Sequence, residues 1–379
     1  MPAGGAEPGA VVIGGYVNGL GAVRALAARG VRVAVVTTQP FDVAQRSRHC
    51  SAHHPVPEAE PGALMELLER RARDWRGWAL LPTSDEAVEA LAEHHERARS
   101  LGYRVLSPEP DVARAFLDKR VMQEAARAVG AELPEVGDGV GFPLLVKPVA
   151  GHRFAARFGA KLLIARDRAE LDAHLARVAG TEVQLTELIP GEDSRVYAHC
   201  TYIGAGGDPL GGITIRKLRQ SPPFFGVARV AEVAADPPPG LAELTLELLR
   251  RVGHRGPAIA EFKLDPRDGR PKFIEANGRS VLYNALLRRA GLDQAGLAWA
   301  EHVEGRRERA EPNGWPGAWV NLHADVLYTL LRRDQQRLGA REFARPYARP
   351  LIEAVWSPSD PRPFLAQWGR TARTAMRRP

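Results

Sequence analysis

The chain has 379 residues, 45% of them apolar, and a formal net charge of +7. At about 100–200 residues per domain that is two or three domains, with apolar content for several cores. Two cysteines, Cys50 and Cys200, exclude a disulfide framework and a multi-cysteine metal site and fit a reducing, cytoplasmic compartment. No apolar run approaches the ~18 residues of a membrane span, and MPAGGAEPGA lacks the basic and apolar regions of a secretory signal.

Residues 11–38 read strand, glycine turn, helix, strand, the start of an α/β domain. The glycines at 14, 15, 19 and 21 miss the G-x-G-x-x-G spacing, and the second strand ends Val36-Thr37-Thr38 without an acid for a ribose, so a dinucleotide site is not expected. A substrate carboxylate at the helix start is the alternative use. Gln45 to Pro57, with His49, Cys50, His53 and His54, reads as a polar loop rather than a metal site. Leu64 to Arg73 is an amphipathic helix and Trp78 to Pro82 a strand. Thr83-Ser84-Asp85-Glu86 then reads as a helix N-terminus, with Asp85 a capping residue and the acids favoured by the dipole.

From Asp111 to Gly130 one helix is expected, with Lys119 inside it. Phe142 to Pro148 is a short apolar strand that ends on Lys147. A lysine there is costly to bury unless an anion meets it. The loop 151–161 that follows carries Arg153, Arg157 and Lys161, a basic cover for phosphates. Val183 to Asp193 is a strand broken at Pro190-Gly191. Such a break frees main-chain groups that can read an adenine edge, and Glu192 and Asp193 beyond it can hold ribose hydroxyls. Arg216-Lys217-Leu218-Arg219 lies among strand-like runs as a dense positive cluster.

Ala258 to Ser280 carries the most chemistry. Glu261, Lys263 and Asp265 fall on one side of a strand. Asp268-Gly269 centres a turn, and Glu275 and Asn277 share a face of the return strand. A hairpin closed symmetrically about Asp268 sets Glu261 opposite Glu275, and like charges so placed are destabilising. A divalent cation removes that cost. Magnesium takes one or two carboxylates and leaves the rest of its shell to water and phosphate. Asn277 adds a neutral oxygen, and Arg279 a fixed positive charge nearby. After Val303 come a polar link, a helix over Trp319 to Arg333, a proline-studded tail and a basic end, together a peripheral docked element.

Taken in order, PTSDEAV, Lys119 in LDKRVMQEAARAVG, Lys147 in FPLLVKP, Glu187 in TELIPGED, RKLRQ, Glu261 in EFKLD and the IEANGR run resemble the ATP-grasp superfamily. The branch they look most like is the predicted carboxylate–amine ligases that include D-aspartate ligases. The likeness spans roughly Val11 to Val303. It implies an N-terminal Rossmann-like α/β domain (1–110), two α+β subdomains that clamp ATP (111–186 and 187–303) and a C-terminal extension (304–379). By the same likeness Lys119 and Lys147 contact ATP phosphates. Glu187, near the exocyclic amine, with Leu188 and Ile189 receives adenine. Asp193, or Glu192, holds the ribose. Glu261, Glu275 and Asn277 hold magnesium or manganese. Arg279 steadies an acyl phosphate or substrate carboxylate, and Lys217 meets the phosphate. The implied reaction joins an amino-acid-like carboxylate to an amine.

Three rivals stand beside it. A bicarbonate-using carboxylase has no separate biotin-carrier region here. A nucleotide sensor without catalysis needs only part of the ligand set. A basic nucleic-acid binder lacks any zinc finger, RNA-binding motif or aromatic–basic stripe, so neither nucleic acid nor membrane is expected as a partner. The oligomeric state is left open, a homodimer included.

Overall fold

The computed structural model describes residues 7–56, 61–149, 158, 162–223, 226–331 and 338–376. The basic loop expected over 151–161 lies outside them, apart from Phe158. Strands β1 (Ala10–Ile13), β2 (Val33–Thr37), β3 (Cys50–Pro55), β4 (Ala79–Pro82) and β5 (Arg104–Val105) form a parallel sheet in the order β3-β2-β1-β4-β5. The apolar runs of β1, β2 and β4 are buried on both faces, as a parallel sheet covered by helices requires. Ala10 and Val12 enter one core and Val11 and Ile13 the other. Helix Val17–Ala27 sits against the first core. Gly19 is needed there, because a Cβ on it would stand 2.0 Å from the Gly14 carbonyl oxygen. The stretch expected as a polar loop is instead β3. Its residues alternate half-buried and exposed along a sheet edge, and His53 pairs with the Thr37 hydroxyl at 2.8 Å.

Strands β6 (Leu144–Pro148), β7 (Leu163–Ala165) and β8 (Val183–Glu187) make a small antiparallel sheet in the order β7-β6-β8. It carries its own core with helix Arg168–Arg177. The helix expected over 111–130 is two, Pro110–Leu117 and Lys119–Ala128. Asp118 breaks it: its carboxylate accepts from the Arg120 amide at 2.9 Å and caps the second helix. Lys119 therefore opens a helix rather than sitting within one.

Strands β9 (Val196–Ile203), β10 (Pro209–Ser221), β11 (Val227–Val233), β12 (Gly256–Leu264), β13 (Pro271–Asn277), β14 (Ala318–Val320) and β15 (Leu351–Glu353) form the large sheet, in the order β13-β12-β9-β10-β11-β14-β15. Its pairs are antiparallel except β14 with β15. One face packs on helices Lys119–Ala128 and Leu241–Arg251, where Phe262 and Phe273 meet edge to face at 5.7 Å. The other face shares a core with helix Val17–Ala27 of the first unit: Leu20 and Val23 lie in one cluster with Ala198, Tyr202 and Leu286.

The C-terminal stretch is not a peripheral element. Trp319, expected in a helix, is fully buried in β14, and the expected helix is reduced to Leu322–Val326 and a π turn at Leu327–Leu331. Asp360, almost fully buried, accepts from the Ser47 hydroxyl at 2.7 Å, the Arg48 amide at 2.9 Å and Arg24 Nε at 3.0 Å. Removing one partner of a buried, hydrogen-bonded ion pair leaves the other uncompensated. Asp360→Asn is therefore expected to cost about 3 kcal/mol, read as a lower urea midpoint. An unchanged midpoint would mean that the segment merely rests on the first unit.

Candidate functional site

Between the three sheets lies a cleft of about 990 Å³. The end of β1 and the segments that follow β2 and β4 open onto it, as expected for the carboxyl edge of a parallel sheet where the strand order reverses. Lys119 and Lys147 stand in its wall, and so do Glu187, Leu188 and Ile189, Lys217, Glu261, Glu275, Asn277 and Arg279. Ten of the residues singled out from the sequence thus share one cavity. Asp193 and Glu192 are not among its lining residues.

The hairpin of β12 and β13 closes as symmetry requires. Glu261 pairs with Glu275 and Ile259 with Asn277, and Gly269 takes φ +73° in the turn. A bulge then shifts the register, so Phe262 faces Phe273. The two carboxylates differ in setting. Glu275 is exposed, whereas Glu261 is buried and its Oε2 accepts from Lys217 Nζ at 2.6 Å. Lys217 also donates to Gln220 Oε1 at 3.3 Å, and Gln220 donates from its main chain to Asp193 Oδ2 at 2.8 Å. Asp193 is buried, the far end of a polar chain that starts at Glu261. Glu192, next to it, is exposed.

The donors available for a metal are two carboxylates and one amide oxygen. Among the described residues no group of three His, Cys, Asp or Glu gathers to hold an ion. Glu261, Glu275 and Asn277 fit magnesium, which needs few protein ligands when phosphate supplies others.

Lys119 and Lys147 come from different elements but repel each other. Lys119 Nζ is steadied by the Pro148 carbonyl at 3.0 Å. Burial, and then the charge of Lys119, push Lys147 down to about 8, while Glu275 pulls the other way. Such a pair answers to a polyanion.

Arg279 reaches the first unit. Its Nε and Nη2 donate to the two Asp85 oxygens at 2.7 and 3.0 Å, and Nη2 lies 3.4 Å from Asn277 Oδ1. Burial works against the cation, but Asp85 more than offsets it, with Glu275 adding to the effect. The cap of helix Asp85–Glu93 is Ser84, which accepts from the Ala87 amide, so Asp85 is released for Arg279. The rest of that helix turns Glu86, Glu89 and Glu93 to the cleft.

The positive cluster of β10 is divided among acids of this chain: Arg216 pairs with Glu232, Lys217 with Glu261, and Arg219 with Asp325 at 2.9 Å. A carboxylate likewise lies near the start of helix Val17–Ala27, and it is Asp42, which accepts from the amides of Gly15 and Thr38 at 3.0 Å each.

Lys263 and Gln220 are among the cleft residues that went unassigned from sequence. Lys263, buried, donates to the Ile189 carbonyl at 2.8 Å. Its place on the Glu261 face of β12 was the available signal. Gln220 had none.

No protein-family model and no curated protein matches the chain. Solved structures do. An ADP complex of an N5-carboxyaminoimidazole ribonucleotide synthetase gives a TM-score of 0.66 at 14% identity, over 86% of this chain and 85% of that one. An L-amino acid ligase from Bacillus licheniformis gives 0.61 at 17% identity, over 79% and 74%. A biotin carboxylase–β,γ-ATP complex from Campylobacter jejuni gives 0.60 at 16% identity, over 82% and 74%. The fold is the ATP-grasp fold, with mixed α/β and α+β parts. No helix among the described residues is long and apolar enough to cross a membrane.

The Lys147 setting has a sign that can be checked. An unfolded lysine titrates near 10.4, so between about 8 and 10 the unfolded state holds more protons and stability rises with pH. Relative to Lys147→Met, the wild-type protein should gain stability across that window in denaturant titrations. A difference that does not change with pH would show that Lys147 is not desolvated.

Proposed function

We propose that this protein is an ATP-dependent ligase that joins a small carboxylic acid to an amine. The observation that carries this reading is the meeting of two lysines, two opposed glutamates and one arginine in a single cleft. A substrate carboxylate oxygen attacks the γ-phosphorus of ATP. An O–P bond forms, the bond to the β-phosphate oxygen breaks, and ADP leaves. The amine nitrogen then attacks the acyl carbon, a C–N bond forms, phosphate leaves and the nitrogen gives up a proton. Positioning and charge neutralisation supply most of the rate in such transfers.

In this reading Lys119 and Lys147 hold the polyphosphate. Glu261, Glu275 and Asn277 would hold magnesium or manganese, which when bound neutralises phosphate charge. Lys217 keeps Glu261 in place and presents a second positive charge. Arg279, fixed by Asp85, receives the substrate carboxylate. The main chain near Leu188 and Ile189 takes the base. Of the two acids expected at the ribose, Asp193 is buried and accepts from Gln220, whereas Glu192 is exposed.

A second reading keeps the chemistry and changes the acid. Two of the similar structures are carboxylases or carboxyamino-forming synthetases, so bicarbonate belongs in the test. The deciding experiment measures ADP release with Mg-ATP against pooled amino acids, small carboxylates and bicarbonate, with mass analysis. A product equal to acid plus amine minus water supports the ligase. ADP release with bicarbonate alone supports the carboxylase. Nucleotide binding with no release in any pool supports a sensor.

Two consequences follow. Glu275→Gln, at an exposed site, is expected to leave the circular dichroism spectrum intact and to lower ADP release about 100-fold or more; retained turnover would remove the metal assignment. Because Lys147 must carry its proton to meet phosphate, ATP affinity should fall as pH rises above about 8. Binding at pH 8.5 should then take up protons, seen by calorimetry in buffers of different ionisation heat. The Lys147→Met protein should lack that uptake.

A further inference from the structure

We propose that Glu187 anchors the hinge between the small and large sheets rather than reading the base, and that Arg267, with Lys272 and Asp265, positions it. The part of this inference that concerns the nucleotide rests on the reading of the cleft given above.

The small sheet has a core of its own, built from Val140, Leu144, Val146, Leu163, Leu171 and Val178, which among the described residues shares no member with the clusters of the other two sheets. Polar contacts must therefore set its angle to the large sheet. Some run from helix Lys119–Ala128 to Pro148, Glu182 and Gln184, and a denser set gathers where β8 ends. Glu187 Oε1 pairs with Arg267 from the β12–β13 turn. Its Oε2 accepts from the Glu135 amide at 3.1 Å and lies 3.6 Å from Lys272 Nζ on β13. Both oxygens are thus engaged, and a base amino group would have to displace one of these donors.

The two cations are held in turn by Asp265, fully buried, which accepts from the Arg267 amide at 3.0 Å and Nε at 2.9 Å and from Lys272 at 2.8 Å. Arg267, and then Lys272, keep the Asp265 carboxyl well below the ordinary carboxylate range. The segment ahead of β6 completes the joint. The Phe273 amide donates to the Glu132 carbonyl at 2.7 Å, the Glu187 amide donates to the Glu135 carbonyl at 2.9 Å, and Val136 bridges to Thr186. Lys263 holds the Ile189 carbonyl two residues on. The turn of the hairpin that presents Glu261 and Glu275 is thus the part that grips the small sheet, and Glu187 is the point it grips. Recognition of the base then falls to main-chain groups around Leu188.

The test compares wild type, Glu187→Gln, Arg267→Met and the double variant in two measurements. Arg267 is half exposed, so its replacement is not expected to prevent folding. Hydrogen exchange without nucleotide should be faster over 132–136 and 183–189 in each single variant. The double variant should be no faster than the faster single one, the mark of one shared interaction. Calorimetry with Mg-ATP and Mg-GTP should show both affinities reduced by a common factor of about tenfold, within the range for coupled residues of one ion network, with the ATP:GTP ratio unchanged. Unaltered exchange in Arg267→Met overturns the proposal. So does a Glu187→Gln protein that loses its preference for ATP while Arg267→Met binds ATP as wild type does. If the wild-type protein binds neither nucleotide, the reading of the cleft fails, and the exchange measurement alone still decides whether the anchor exists.

Discussion

Glu261 and Glu275 face each other across one hairpin, and much of the molecule answers to that opposition. Lys217 relieves one side, and it can do so only because of the strand order. β9 lies between β12 and β10, and its residue paired with Glu261 is Ala198, which in turn pairs with Ile215. A small side chain at that crossing leaves a path for Lys217, two residues further along β10, to span a strand and reach Glu261. Glu275, at the outer edge of the sheet, keeps its carboxylate toward the cleft. One buried, paired acid beside one exposed acid is an asymmetric donor set, suited to a cation that shares its shell with phosphate.

The same economy governs the positive charges. Arg216, Lys217 and Arg219 are consecutive on paper except for Leu218, yet the pleat and the bulges of β10 send them to Glu232, Glu261 and Asp325. Arg219 also lies over the Phe343 ring at 5.1 Å. A basic run that reads as a ligand site is thus largely internal bracing. Lys119 and Lys147 both face the cleft, and their charges oppose each other. Their mutual repulsion is the clearest electrostatic demand for an anion in the structure.

Core continuity divides the molecule mechanically. Helix Val17–Ala27 shares a hydrophobic cluster with the large sheet, so these two parts are welded by packing. The small sheet is attached by main-chain bridges, by the ions around Glu187 and Asp265, and by polar contacts from helix Lys119–Ala128. Packed cores resist sliding, whereas this joint depends on a few charged groups, with Asp265 fully buried among them.

By itself the sequence determined what local rules can carry. Apolar runs bounded by glycine and proline became β1, β2 and β4 of the first sheet. The symmetric spacing about Asp268 set Glu261 opposite Glu275, because period two and a short turn leave little freedom of register. The ordered motifs from Lys119 to Arg279 pointed to the ATP-grasp fold that the solved structures share. Tertiary structure decided the rest, where the partner lies far along the chain. Trp319 became a strand because β11 offered a free edge, and the histidine-rich stretch became β3 because β2 did the same. Asp85 left its helix end for Arg279, 194 residues away, and Asp193 turned from the cleft to Gln220. Propensity and spacing act over a few residues, whereas the choice of counter-ion for a buried charge is made by whatever the folded chain brings within about 3 Å.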